Sequence, residues 1–316
     1  MIQTEAFEQF TVYKEGSSDS FLYADFDKPD LFMNGLADYL LNEYNLLNYA
    51  NTLTPINFTP SRAIYKKLYS TLGTFLNSEL ELLTFDNVTD EVRTTLGEEY
   101  RFIDTNGETL LQKDKIGIIG EYALHLLLTN YYKVHCIIPK FRCTTDRNMS
   151  VFGIDALFFD PKHRIIYFGE SKVCKDIDNA ITLVNRSFED YEEQIAEEYK
   201  LVLSNDEVFN LSQEFKDAFQ EHTEVCISFQ EFIKAASIHK ICVPAFLAHG
   251  NNAGAHTPDK FLQKMNSKLH QKQLFSLPTK YIFISLPIIN KSEMMDVIMQ
   301  KVVKKNNDYR DAYSRL

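Results

Sequence analysis

Two apolar runs separated by a short polar break are the feature that most restricts how this chain folds. Residues 156–159 read Ala-Leu-Phe-Phe, residues 160–163 read Asp-Pro-Lys-His, and residues 164–169 read Arg-Ile-Ile-Tyr-Phe-Gly. Runs of β-branched and aromatic residues joined by a Pro-containing turn predict a β-hairpin. The sequence therefore predicts two antiparallel strands near the middle of the chain.

Charged residues stand at the open ends of this hairpin. Gly153-Ile154-Asp155 precedes the first strand, and Glu170-Ser171-Lys172 ends the second. In an antiparallel pair the start of one strand lies beside the end of the next, which places Asp155 near Glu170 and Lys172. Because side chains alternate along a strand, Glu170 and Lys172 share a face and Ser171 points away from it.

Two carboxylates and an ammonium on one face suit phosphodiester hydrolysis. A Mg²⁺ ion held by hard oxygen ligands stabilises charge on the phosphate and activates water. Asp155 and Glu170 are the predicted ligands. Lys172 has three roles open to it: positioning the water, deprotonating it, or neutralising the phosphate.

A third acid lies upstream, in a predicted helix over residues 115–128. Apolar residues at 116, 119, 123, 124, 127 and 128 recur at helical spacing. Glu121 lies beside that apolar face, from where it could reach the metal directly or through water; the alternative is a solvated or capping glutamate. A strand over 134–138 follows, which gives the order helix, strand, hairpin, helix.

This order and these residues resemble the PD-(D/E)xK nuclease superfamily, which has the restriction-endonuclease-like fold. Glu121 matches its helix acid, Asp155 its isolated Asp, and Glu170 with Lys172 its Glu-x-Lys pair. Ile154 stands where the superfamily pattern has Pro. Gln194 and Tyr199 lie one residue too far apart for its Gln-x-x-x-Tyr element, so Gln194 is not assigned a role.

The motifs that include Gly120, Gly153 and Gly169 more narrowly resemble the nuclease subunit of Hachiman anti-phage defence systems, over about residues 113–199. That resemblance implies a DNase that depends on Mg²⁺, with Mn²⁺ as a substitute. It also implies a separate superfamily 2 helicase partner, which holds the nuclease inactive until phage attack.

Length and composition fit a chain with a large apolar core. It has 316 residues, of which 45% are hydrophobic. No run approaches a membrane span, and the N-terminus lacks a signal-peptide pattern, so a cytoplasmic protein without membrane contact is expected. The predicted division is a mostly helical N-terminal elaboration over 1–105, a nuclease-like core over 106–290 and a C-terminal helix over 291–316.

Net charge argues against DNA binding by the surface as a whole. At a formal charge of −11, the chain needs a local basic patch to attract a polyanion. Lys140, Arg142 and Arg147 precede Asp155 and are the predicted DNA contacts. An ordinary solvated loop is the alternative for this segment.

Cysteines and histidines indicate no further site. The five cysteines lack paired spacing, so most are expected to be small core residues, and Cys174 has no convincing base nearby. His249 and His256 fall in the polar segment 248–256, which is predicted to be a surface loop.

Elsewhere the pattern predicts helices, a few strands and no motor. Predicted helices cover 29–49, 60–83, 176–203 (as one long amphipathic helix), 208–219, 228–236 and 292–315, and predicted strands cover 21–26, 238–247 and 281–287. No Walker-type glycine loop is present in the sequence.

The sequence thus predicts an α/β protein with a mixed central sheet flanked by helices. Its expected activity is Mg²⁺-dependent hydrolysis of DNA. Two alternatives stay open: a catalytically silent subunit that keeps this fold and works through a partner, and a metal-dependent hydrolase acting on a substrate other than nucleic acid.

Overall fold

A computed structural model describes most of the two ends of the chain and part of its middle. The described residues are 2–8, 10–15, 21–24, 29–45, 62–63, 102–105, 108–111, 118–138, 156–160, 162–204, 228–250, 257–288 and 291–315. The described helices are α1 Pro29–Leu40, α2 Ile118–Asn130, α3 Ile177–Ser187, α4 Tyr191–Ser204, α5 Phe229–Ala235, α6 Pro258–Lys268 and α7 Lys291–Arg315. The described strands are β1 Ile2–Phe7, β2 Phe10–Glu15, β3 Phe21–Ala24, β4 Phe102–Thr105, β5 Glu108–Leu111, β6 His135–Ile138, β7 Ala156–Asp160, β8 Ile165–Cys174, β9 Lys240–Gly250 and β10 Thr279–Ile288.

A mixed sheet of eight strands, in the order β1-β2-β3-β10-β9-β8-β7-β6, organises the molecule. Strands β3, β10, β9 and β8 run parallel to their neighbours within that group, and the outer pairs are antiparallel. Strands β4 and β5 form a separate two-stranded sheet. The predicted α/β class with a mixed sheet flanked by helices is confirmed.

The predicted hairpin is present as β7 and β8. Its register pairs Ala156 with Gly169 and Asp160 with Ile165. In the turn, the backbone N–H of His163 donates to Asp160 Oδ1 over 3.0 Å, and Arg164 takes a positive φ of 49°. The side chain of Asp160 thus supplies a local acceptor that closes the turn.

Parallel pairing brings the carboxyl ends of three strands to one edge, here called the carboxyl edge. Cys174 of β8 pairs with His249 of β9, and His249 pairs with Pro287 of β10. Each of these residues lies within the last two positions of its strand. Ligand sites of open α/β sheets form where such strand ends meet.

Each face of the sheet is covered by its own group of helices. Ile166 and Phe168 of β8 belong to a buried cluster with apolar residues of α3, α4, α5 and α6. On the other face, a small apolar gap between the sheet and helices α1, α2 and α7 is lined by Leu36, Ala123 and Met294, among others. Alternation along β8 therefore decides which set of helices each of its side chains meets.

The single long helix predicted over 176–203 is wrong, because the chain forms two helices there. Helix α3 ends at Ser187 with Phe188 as its C-cap residue, and α4 begins at Tyr191. Asp190 directly precedes α4, and Glu192 and Glu193 lie in its first turn. Carboxylates are favourable at a helix N-terminus, which explains a new start at this point.

The N-terminal part contributes strands as well as helix. Strand β3 and helix α1 were predicted, whereas the β1–β2 hairpin that extends the sheet was not. The predicted C-terminal helix is present as α7 and lies against α1, where Lys301 pairs with Asp38 at 2.6 Å and Lys305 with Glu43 at 2.6 Å. Of the helix predicted over 60–83, only residues 62–63 are described, and the helix predicted over 208–219 lies outside the described residues.

Candidate metal and phosphate site

The Glu-x-Lys pair lies near the carboxyl edge, on the last part of β8. Glu170 pairs in register with Ala245 of β9, and Lys172 pairs with Leu247. Ala245 and Leu247 both belong to the buried cluster on the face covered by α3 to α6. Glu170 and Lys172 therefore point towards that face, as the alternation of the sequence predicts.

Burial is what distinguishes this pair. The Glu170 side chain is 1% exposed and that of Lys172 is 27% exposed. The Lys172 ammonium donates a hydrogen bond to Glu170 Oε1, and the second carboxylate oxygen, Oε2, is buried as well. An ionised carboxylate in such a place carries a large desolvation penalty, which a nearby cation reduces.

The other predicted ligand, Asp155, lies outside the described residues. The described part of the hairpin ends beside it: Ala156 follows Asp155 in the chain and pairs with Gly169, which precedes Glu170. The prediction that Asp155 meets Glu170 thus stays a prediction. The predicted DNA contacts Lys140, Arg142 and Arg147 also lie outside the described residues.

Helix α2 approaches β8 from the opposite face, through a glycine. A Cβ atom on Gly120 would lie 2.7 Å from Val173 Cγ2 and 3.3 Å from Ser171 Oγ. The first distance is shorter than carbon atoms tolerate, so only glycine permits this approach. Ser171 and Val173 flank Lys172, which means that α2 presses on the back of the Glu-x-Lys segment.

Glu121 follows this glycine, in the first turn of α2. It is half-buried. Since α2 covers the face opposite to Glu170 and Lys172, Glu121 has to reach the pair around the end of the sheet rather than across it. The participation of Glu121 in the site therefore stays a prediction, and it requires that the side chain reach Glu170 around the end of the sheet.

A buried histidine at the carboxyl edge corrects the loop predicted over 248–256. Residues 248–250 complete β9, and His249 is fully buried. Its Nε2 lies 2.7 Å from Ser285 Oγ, and its Nδ1 lies 3.3 Å from the Gly250 carbonyl oxygen. A carbonyl only accepts, so Nδ1 carries the proton and the Ser285 hydroxyl donates to Nε2.

Sequence reasoning missed His249 and Ser285 because the residues after His249 are polar and typical of a loop. The apolar run over 241–248 was the available signal, since it is long enough to carry a strand one residue further. His256 lies outside the described residues.

Three further residues considered in the sequence analysis have buried side chains or side-chain atoms. Cys174 is a buried thiol, as expected for a core cysteine. The Tyr199 ring stacks on Phe232 with centroids 5.4 Å apart. The Oε1 atom of Gln194, five residues before Tyr199, is buried and accepts no hydrogen bond from any described residue.

The described residues offer one buried carboxylate whose chemistry suits a metal ion. Within the ranges that the structure describes, no group of three or more His, Cys, Asp or Glu side chains is arranged to hold a metal ion. Glu170 offers a buried carboxylate, the hard oxygen donor that Mg²⁺ prefers. The donor chemistry of this carboxylate fits Mg²⁺, and Asp155 as the second ligand stays a prediction.

A mixed α/β sheet flanked by helices, with Glu170 and Lys172 near the end of a central strand, is consistent with a nuclease-like core. The family model that matches the chain is HamA, over residues 4–302. The chain therefore belongs to the HamA family, the family of the Hachiman defence protein.

The other comparisons add no relative. Neither the search of curated proteins nor the search of solved structures finds a match. Among the helices that the structure describes, none combines the length and apolarity that crossing a membrane requires.

Proposed function

We propose that this chain is a Mg²⁺-dependent DNA endonuclease, the effector of a Hachiman anti-phage defence system that acts with a superfamily 2 helicase partner. Membership of the HamA family supports the defence role. The observation that carries the proposed chemistry is the Glu170 carboxylate, buried near the carboxyl edge and held by the Lys172 ammonium.

Burial argues for a functional rather than a stabilising pair. A buried ion pair usually contributes little net stability, because desolvation offsets the Coulomb attraction. A buried ion pair at the strand ends, where ligands of α/β sheets bind, is therefore better explained by ligand binding than by stability. A divalent cation and a phosphate are the ligands that a carboxylate and an ammonium together would bind.

The proposed roles follow from the chemistry of each side chain. Glu170, with Asp155, would hold the metal ion through carboxylate oxygens. When bound, Mg²⁺ supplies Lewis acidity to the phosphate and lowers the pKa of bound water. Lys172 has three N–H donors, so it can keep one on Glu170 and direct the others to a phosphate oxygen or to the attacking water.

Plasmid cleavage tests this function. The purified chain is incubated with supercoiled and with linear DNA, in Mg²⁺ and in EDTA, beside Glu170→Ala and Lys172→Ala. We expect cleavage in Mg²⁺ alone, and a loss of at least about 100-fold in both variants, the scale of removing one charge-stabilising group.

Asp38→Ala and Lys301→Ala are the matched controls, since they break an exposed ion pair between α1 and α7, and these helices cover the face of the sheet opposite to Glu170 and Lys172. Both should cleave at the wild-type rate. A folded wild-type chain that cuts neither substrate contradicts the nuclease function and favours the silent subunit. Cleavage that survives both site substitutions contradicts the assignment of the site.

A further inference from the structure

Helix α6 carries a row of lysines on the side that faces away from the core. Lys260, Lys264 and Lys268 recur at every fourth residue, which places them on one side of a helix. The opposite side packs into the core through Phe261, Leu262 and Met265. These three lysines are here called the α6 lysine row, which is about 12 Å long at the usual helical rise.

Contacts with α3 fix the direction in which the row runs. At one end, Asn185 Nδ2, in the last turn of α3, donates to the Lys268 carbonyl oxygen over 2.9 Å. The side chains lean the other way: Lys264 Nζ and Lys268 Nζ lie 2.5 Å and 3.1 Å from the carboxylate of Asp178, in the first turn of α3. Going from Lys268 to Lys260, the row therefore advances towards the N-terminus of α3.

That end of α3 adjoins the proposed catalytic strand. Strand β8 ends at Cys174, and α3 begins at Ile177, so the row runs towards the carboxyl edge. The exposed Lys175 lies in the connection between them. Helix α6 also covers the same face of the sheet to which Glu170 and Lys172 point.

The charge of this surface contrasts with that of the whole chain, which is −11. Three acids lie nearby: Asp176 and Asp178 on α3, and Asp259 on α6. Asp178 is shared between Lys264 and Lys268, and these lysines hold the pKa of its carboxyl below the ordinary value. One carboxylate thus faces two ammonium groups, and the row together with the neighbouring Lys175 sets four positive charges against these three acids, a net charge of +1.

We propose that the α6 lysine row binds the phosphate backbone of DNA and guides it to the site at the end of β8. The proposal rests on the proposed nuclease function. Lysine is a flexible point charge that attracts phosphates without reading sequence. A row of about 12 Å spans between three and four base pairs of DNA, at a rise of about 3.4 Å each along the helix axis.

The test is the salt dependence of DNA binding. Fluorescence anisotropy measures the Kd of a short duplex in EDTA, which prevents metal-dependent cleavage, across about 50 to 200 mM salt. The variant is Lys260→Ala with Lys268→Ala. Losing two phosphate contacts should make the negative slope of log K against log salt less steep by about 1.8 and weaken binding at the lowest salt concentration.

Lys162→Ala with Lys234→Ala is the matched control. Both lysines are exposed. They precede β8 and β9 and therefore lie near the amino ends of these strands, opposite to the carboxyl edge. This variant should keep the wild-type slope. Asp178→Asn provides a test in the other direction, because removing the carboxylate that faces the row should tighten DNA binding several-fold.

The outcomes separate this surface from the function on which it rests. If the wild type cleaves plasmid but the α6 variant keeps the full salt slope, the row does not bind DNA, and pairing with Asp178 is its role. An equal loss of slope in the control variant also overturns the proposal. If the wild type neither cleaves nor binds DNA, the nuclease function itself fails.

Discussion

Two ion pairs in different regions of this molecule contain lysines of equal exposure, but the carboxylate is buried in one pair and exposed to solvent in the other. Lys172, near the carboxyl edge, and Lys301, between α1 and α7, are each 27% exposed. Their partners are Glu170, which is 1% exposed, and Asp38, which is 58% exposed. The pairs therefore differ mainly in how much water the carboxylate has lost.

That difference separates a contact that holds helices together from one that stability does not explain. An exposed pair such as Asp38–Lys301 contributes about 0–1 kcal/mol and leaves both charges hydrated if it breaks. A buried pair contributes little net stability, and removing one partner costs about 3–5 kcal/mol because a charge is left uncompensated. The molecule carries this cost near the carboxyl edge, where a ligand would offset it.

The largest effect is expected from Lys172→Met. It leaves the Glu170 carboxylate buried without its ammonium, so the free energy of unfolding should fall by about 3 kcal/mol, at the low end of the range because Lys172 is partly hydrated. Lys301→Met should cost less than about 1 kcal/mol. Urea denaturation of both variants at neutral pH measures the difference.

Glu170→Gln in the Lys172→Met background is the control, since it removes the uncompensated charge. Part of the lost stability should return, which gives a coupling free energy between the two positions. Equal costs for Lys172→Met and Lys301→Met would contradict the comparison between the two pairs.

Lowering the pH should reduce the stability of the fold through a buried histidine, His125, before the carboxylates titrate. His125 of α2 is fully buried, and burial lowers its pKa to about 3. The unfolded chain binds this proton below about pH 6.5 and the folded chain does not. Stability is therefore fully present above that pH and falls as the pH decreases, by about 2 kcal/mol between pH 6.5 and 4.5.

Denaturant melts of the wild type and of His125→Gln across this pH window provide the measurement. The variant has no proton to bind at this position, so its stability should change much less with pH. A wild-type curve that is flat down to pH 4.5 would mean that His125 is protonated in the folded protein. The two ion pairs are best compared above pH 6.5, where this contribution is absent.

A smaller effect is expected from a substitution on α2, where this helix contacts β8. Gly120→Ala places a methyl group against Val173 and should cost about 1–2 kcal/mol, since the strain of overpacking exceeds the helix propensity that alanine gains. Displacement of α2 should also reduce DNA cleavage. Thermal denaturation and the plasmid assay measure the two effects.

Val173→Ala in the Gly120→Ala background tests the cause, because it removes the Cγ2 atom with which the new methyl group collides. Activity should recover in the double variant even though Val173→Ala alone loses apolar contacts. If the double variant is as inactive as Gly120→Ala, the close approach of α2 does not set the geometry of the Glu-x-Lys segment.

Sequence reasoning succeeded where one face of an element has a clear period. The apolar runs of β7 and β8 gave the hairpin and the shared face of Glu170 and Lys172, and the helical period gave α2. Both patterns involve residues close together in the sequence, so they can be recognised without knowing the rest of the fold.

The missed features depend on contacts between distant segments. Strand β1 is largely exposed along its middle and has no apolar period to identify it. His249 looked like a loop residue until the register with Cys174 and the hydrogen bond to Ser285 placed it inside the sheet. The direction of the α6 lysine row towards the carboxyl edge follows from its contacts with α3, which the sequence does not predict.

Metal binding tests most directly whether the burial of Glu170 serves catalysis. Isothermal titration with Mn²⁺ should show binding to the wild type and to Asp38→Ala, and loss of binding in Asp155→Ala and in Glu170→Ala. Binding that persists in both site variants, or a folded wild type that binds no Mn²⁺, would contradict the account.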